Sequence, residues 1–125
     1  MKRIIQTSLA PQAIGPYSQA VLVNGFLYTS GQIAIDPSTN EYFQRDIEFE
    51  THQVMKNLHA ILDEAGMEFG NVVKTTIFLQ DMGEFAKMNA VYSSYFSGNF
   101  PARETVQVSV LPKNARVEIS MIAAL

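Results

Sequence analysis

The sequence contains no cysteine, so disulfides, thiolate nucleophiles and Cys-ligated zinc are all excluded. Charge of one sign is never concentrated: nine Lys and Arg face twelve Asp and Glu, a net charge of −3. Without a basic stripe to neutralise phosphates, nucleic acid is a poor default partner. No stretch approaches the roughly 20 apolar residues that a membrane helix needs. The opening Met1-Lys2-Arg3-Ile4-Ile5-Gln6-Thr7 has a basic pair but no apolar run long enough for a signal peptide. The expectation is a soluble protein of a reducing compartment, most simply the cytoplasm. Phosphate-loop, dinucleotide-fingerprint and nucleophile-elbow patterns are missing as well.

What is there suits one domain over residues 1–125. The chain weighs 13.9 kDa and is 47% apolar and 17% charged, enough to build a core without metals or other staples. Short β-rich runs come first: Lys2 to Gln6, Gln19 to Val23, and Phe26 to Thr29. Asn24-Gly25 between the last two is a strong hairpin signal, because both turn positions want φ > 0. Asp36-Pro37-Ser38-Thr39-Asn40 reads as a turn, with loop continuing to about Asp46. From Glu48 to Ala65 the period becomes helical, with Val54, Met55, Leu58, Ile61, Leu62 and Ala65 on one stripe and Gly66 at the C-terminal cap. Asp46, Glu48 and Glu50 suit the helix start. Val72 to Leu79 returns to strand. Asp81 and Glu84 have capping-box spacing ahead of a second helix carrying Phe85, Met88, Tyr92, Tyr95 and Phe96. Two strands follow Pro101, near Thr105 to Val110 and Arg116 to Ala123.

The order β-β-β-α-β-α-β-β predicts an α+β two-layer sandwich, with two helices packed on one face of a sheet. The other face should then alternate to polar, yet Ala20-Val21-Leu22-Val23 and Met121-Ile122-Ala123-Ala124-Leu125 are apolar on both sides. In the middle strand, Val73, Ile77 and Leu79 should face one way and Val72 and Phe78 the other. A second buried face is implied, and self-association as a closed ring would supply it.

Residues that could carry chemistry are few. His52 and His59 share one face of the first helix with Lys56 between them, which reads as a solvated polar face and not a metal site. Met55, Met67, Met82, Met88 and Met121 read as core filler and helix-end contacts. On the last two strands, alternation places Arg103, Thr105, Gln107, Glu118 and Ser120 on one polar face if the strands form a hairpin through Leu111-Pro112-Lys113-Asn114-Ala115. In that register Arg103 lies about 13 Å along the strands from Glu118, so a site using both is completed at a subunit boundary. Gly15-Pro16-Tyr17 fixes an aromatic hydroxyl on a turn, and Ser30-Gly31-Gln32 ends a strand where backbone can approach a ligand.

These segments resemble the RidA (YjgF-type) family of imine and enamine deaminases. The resemblance is carried by Ala13-Ile14-Gly15-Pro16-Tyr17-Ser18-Gln19, Thr29-Ser30-Gly31-Gln32-Ile33, Val73-Lys74-Thr75-Thr76-Ile77-Phe78, Asn89-Ala90-Val91-Tyr92, Phe100-Pro101-Ala102-Arg103 and Leu111 to Ile119. It implies a chorismate-mutase-like subunit with a mixed sheet, a homotrimer with clefts between subunits, and hydrolysis of 2-imino and 2-enamino acids to 2-keto acids and ammonia. It implies no metal and no organic cofactor. Carried over by position, Arg103 holds the substrate carboxylate, and Glu118 positions and activates water. Tyr17, Ser30, Gly31 and Asn89 line the cleft. Thr105, where many bacterial members have Cys, keeps backbone contacts there. Glu104 and Ser120 also depart from the family's usual residues, and strand alternation turns Glu104 away from Arg103. The alternative is a non-catalytic module that binds small carboxylates such as 2-keto acids. RNA cleavage and a chaperone-like role, the former disfavoured by the net charge, are further possibilities for this family.

Overall fold

The computed structural model describes residues 1–125. The elements run β1 (Arg3–Ile5), β2 (Ala20–Val23), β3 (Phe26–Thr29), β4 (Ile35–Asp36), β5 (Glu41–Tyr42), α1 (Ile47–Glu64), β6 (Val72–Leu79), α2 (Phe85–Ser93), β7 (Ala102–Gln107) and β8 (Val117–Ala124). Six strands form one mixed sheet in the order β1-β2-β3-β8-β6-β7, with only β6 and β7 parallel. Both helices cover one face, as the pattern predicts.

Local chemistry explains the frame. Asn24 (φ 52°) and Gly25 (φ 79°) take the two left-handed positions of the β2–β3 turn. The Asp46 carboxylate caps α1 by accepting from the Phe49 N–H at 2.8 Å, and Gly66 at φ 74° ends it. Between these caps Val54, Met55, Leu58, Ile61 and Leu62 are wholly buried against Ile77, Leu79, Val117 and Ile119. The expected loop before α1 is ordered as the small β4–β5 hairpin, in which the Asp36 carboxylate accepts from both the N–H and the hydroxyl of Ser38. The helical spacing expected through Tyr95 and Phe96 stops at Ser93, and the two rings join an aromatic cluster with Phe69. At the start of α2 the Asp81 carboxylate accepts from the Gly83 N–H, not from that of Glu84.

Two expectations about the sheet are overturned. β7 and β8 do not form a hairpin, because β6 lies between them. The chain leaving α2 completes a β6–α2–β7 crossover, which lays β7 parallel to β6. β7 also begins at Ala102, three residues earlier than predicted. In β6, a bulge between Val72 and Lys74 reverses the first two faces. Val72 is buried with Ile77 and Leu79, and Val73 joins Phe78 on the uncovered side. No helix is long and apolar enough to cross a membrane.

Candidate active site

The register decides which side chains meet. Arg103 pairs with Thr75, which pairs with Met121; Thr105 pairs with Ile77, which pairs with Ile119. All six lie on the helix-covered face, since cross-strand partners share a face. Glu118 pairs with Phe78, which also faces Val106, and Ser120 pairs with Thr76, which faces Glu104. These point to the opposite, open side. The single polar face expected for Arg103, Thr105, Gln107, Glu118 and Ser120 is therefore split in two, because the intervening β6 replaces the hairpin that would have aligned them. Glu104 does point away from Arg103, and its carboxylate reaches Lys74 Nζ at 3.4 Å.

On the open side, Glu118 borders a cleft of about 600 Å³ with Tyr17, Ser30, Gly31, Gln32, Ile14 and Lys113 among its lining. Gln32 is held by reciprocal backbone bonds to Ile119, of 2.9 and 3.1 Å. That bridge draws the Ser30–Gly31 segment over β8. A side chain at Gly31 has no room: a Cβ there would lie 2.5 Å from Glu118 Oε2 and 2.7 Å from Cδ. The glycine is thus needed for close packing on the carboxylate. Burial alone raises the Glu118 carboxyl above its ordinary range. The Ser30 hydroxyl donates to the Ser18 carbonyl at 2.5 Å, and its N–H donates to the Gln19 carbonyl. Tyr17 follows Gly15 (φ 125°) on a tight turn and is mostly exposed.

The N-terminal wall depends on a residue that sequence patterning did not single out. Gln19 is 3% exposed, accepts from the Thr7 N–H at 2.7 Å, and donates to the carbonyls of Thr7, Ala10 and Pro11. A second such residue is Glu50. Far from decorating the helix start, it is fully buried, where its carboxylate accepts from the Tyr42 hydroxyl and the Arg45 and Arg116 N–H groups. Burial still raises its carboxyl despite these bonds. In the sequence Gln19 reads as the first residue of a strand and Glu50 as a charge at the helix start, so neither role was marked.

A separate cleft of about 400 Å³ holds Arg103 with Asn89, Tyr92, Ser93, Phe100 and Pro101. Arg103 Nη1 donates to Asn89 Oδ1 at 2.6 Å. Nearby on β7, the Thr105 hydroxyl oxygen is buried without a hydrogen-bond partner, a cost of about 1–3 kcal/mol unless something outside the chain meets it. The structure thus groups Tyr17, Ser30, Gly31 and Glu118 on one side, and Arg103, Asn89 and Thr105 on the other. His52 and His59 are exposed on α1, where His52 Nδ1 meets the Tyr95 hydroxyl at 2.8 Å and His59 lies against Phe69. No three His, Asp or Glu side chains converge as metal ligands.

A model of the endoribonuclease L-PSP family matches residues 7–125. The chain is 49% identical over 123 residues to the human 2-iminobutanoate/2-iminopropanoate deaminase, covering 98% of this chain and 90% of that one. A Rid-family protein of unknown function from Yersinia pestis superimposes with a TM-score of 0.98 at 51% identity, over the whole of both chains. Escherichia coli TdcF, solved with bound serine, gives a TM-score of 0.94 at 39% identity over 98% of each chain.

Proposed function

The chain belongs to the endoribonuclease L-PSP family, the YjgF/RidA group, and on that premise we propose that it is a deaminase of 2-imino and 2-enamino acids. The substrates are compounds such as 2-aminoacrylate and 2-aminocrotonate, released by pyridoxal-phosphate-dependent dehydratases, and the products are 2-keto acids and ammonia. The observation that carries this reading is the Glu118 carboxylate, half-buried in a cleft that Tyr17, Ser30 and Gly31 also line. A carboxyl with a raised pKa is a better base toward water than an ordinary one.

The enamine first takes a proton on carbon to become the imine. Water then attacks the imine carbon, giving its proton to Glu118. Glu118 returns that proton to nitrogen, and the C–N bond breaks to release ammonia. Glu118 takes the proton of the remaining hydroxyl as the carbonyl forms, giving back to solvent the proton first taken up on carbon. The substrate carboxylate is held by Arg103, whose planar guanidinium can make two parallel hydrogen bonds. Because Arg103 and Glu118 lie on opposite sides of the sheet, the complete site is formed between subunits of a homotrimer, each contributing one half. The Thr105 hydroxyl then meets substrate or the neighbouring subunit. Positioning and one acid–base group suffice for a hydrolysis that proceeds slowly unaided. The cysteine-free chain suits the cytoplasm.

A second reading, a small-carboxylate binding module without turnover, is favoured by the serine bound in Escherichia coli TdcF. The family's description as an endoribonuclease finds less support, given the net charge of −3. The deciding experiment is keto-acid release from 2-aminocrotonate made in situ by a threonine dehydratase, with semicarbazide as competing trap. Wild type should accelerate release. Arg103→Ala and Glu118→Gln should each lose about a hundredfold or more, and Glu118→Gln should still bind 2-oxobutanoate. Full turnover by Glu118→Gln would remove the mechanism.

A further inference from the structure

We propose that Tyr92, tied down by the buried hydroxyl of Thr75, is a positioning residue that holds Arg103 ready for a carboxylate. This takes Arg103 as the carboxylate grip described above. An arginine on an exposed edge strand loses considerable rotamer freedom when it is fixed, so something must hold it. Phe85, Asn89 and Tyr92 recur at helical spacing on α2 and share one face. The Arg103 Cζ lies 5.1 Å from the Tyr92 ring centroid and 5.5 Å from that of Phe85, within the range of cation–π attraction. Asn89 takes one N–H of the guanidinium at 2.6 Å. No carboxylate of the chain pairs with it, and the adjacent Glu104 is engaged by Lys74 on the other face.

Tyr92 differs from Phe85 in being anchored at its far end. Its hydroxyl lies 2.8 Å from Thr75 Oγ1, and Thr75 is wholly buried. Thr75 is also the ladder partner of Arg103. A circuit closes from the β7 backbone through β6 to the Thr75 hydroxyl, the Tyr92 ring and back to the guanidinium. A buried phenol needs a partner, and here that requirement fixes the plane of the ring beneath Arg103. Arg103 lines the cleft with Phe100 and Pro101, and its one side-chain hydrogen bond, to Asn89, leaves further donors of the fork free.

The test uses Tyr92→Leu, Tyr92→Phe and Thr75→Val in the full-length protein. One readout needs no ligand: the NMR order and exchange of the Arg103 Nε–H group. The other is affinity for 2-oxobutanoate, with KM and kcat for the imine. Arg103 should be ordered in wild type and mobile in Tyr92→Leu, with KM and the keto-acid Kd raised roughly tenfold and kcat changed far less. Tyr92→Phe and Thr75→Val should fall between, and their combination should be no worse than either alone. Should Tyr92→Leu not fold, these milder variants carry the same comparison. An Arg103 signal as ordered in the variants as in wild type overturns the proposal, as does lost order with unchanged affinity. If wild type does not bind 2-oxobutanoate at all, the proposed function falls instead, and the Arg103 signal alone decides the role of Tyr92.

Discussion

The Glu118 carboxyl is made hard to ionise by burial, and this fixes the sign of its pH behaviour. Its folded-state pKa is raised, so it favours the folded state only at low pH, and that contribution is lost as pH rises through the raised value. Glu118→Gln should therefore be more stable than wild type near neutral pH, with the gain vanishing as pH falls through the raised pKa; urea melts of both proteins across pH test this. The acid limb of kcat/KM should lie above the ordinary glutamate value of about 4.3. Gly31 supplies a second handle on the same group. A methyl there would sit 2.5 Å from Oε2, so Gly31→Ala should displace the carboxylate and slow turnover at least about tenfold, while the thermal midpoint moves little because the displaced atoms end a flexible side chain. Glu50 is the opposite case. Arg116 Nε lies 3.5 Å from its Oε2, but Arg116 also reaches the Arg45 carbonyl and Glu84. Glu50→Ala would thus chiefly leave the Tyr42 hydroxyl and the Arg45 and Arg116 N–H groups without an acceptor. A loss of about 2–3 kcal/mol in chemical denaturation is expected from the donors left unsatisfied.

At the scale of elements, the walls of the Glu118 cleft depend on ties between segments that have little structure of their own. Gln19→Leu should release residues 7–11, and faster amide exchange at Thr7, whose N–H bonds to Gln19, would show it. Such ties were not legible in the sequence, because a glutamine before a strand has the same pattern whether it is solvated or buried. The strands and helices themselves were legible: periodicity placed β6 over the observed residues and α1 within one residue at each end. Pairing was not. Alternation along Arg103–Ser109 and Arg116–Ala123 shows two faces but not which strand lies alongside. Nearness in the chain suggested a hairpin, whereas the β6–α2–β7 crossover outranked it. The bulge at Val72 to Lys74 escaped for the same reason, since an extra residue leaves no mark in an apolar run. Turn and strand-end chemistry marked Tyr17 and Ser30, whereas Asn89 stood out only through family resemblance. Patterning alone gave them no shared location.

For the whole molecule, the uncovered sheet face dominates. Phe26, Tyr28, Val73 and Val106 are each 44–46% exposed, and Val21, Ile122 and Phe78 lie among them. Apolar groups this exposed, interrupted by Lys74, Thr76, Glu104 and Ser120, suit an interaction surface, in keeping with the proposed trimer. Tyr28→Glu should shift sedimentation from trimer toward monomer and abolish turnover even where the subunit remains folded, because neither half-site works alone.

The placement of Arg103 and Glu118 on opposite sides of one sheet has a consequence in heredity. Two alleles, each inactive by itself, should rescue one another when expressed together. In the proposed trimer, mixed rings of Arg103→Ala and Glu118→Gln chains would have some junctions at which an intact arginine from one chain meets an intact glutamate from its neighbour. With equal amounts and random assembly, about a quarter of junctions are whole, and a strain carrying both genes should recover about that fraction of wild-type turnover.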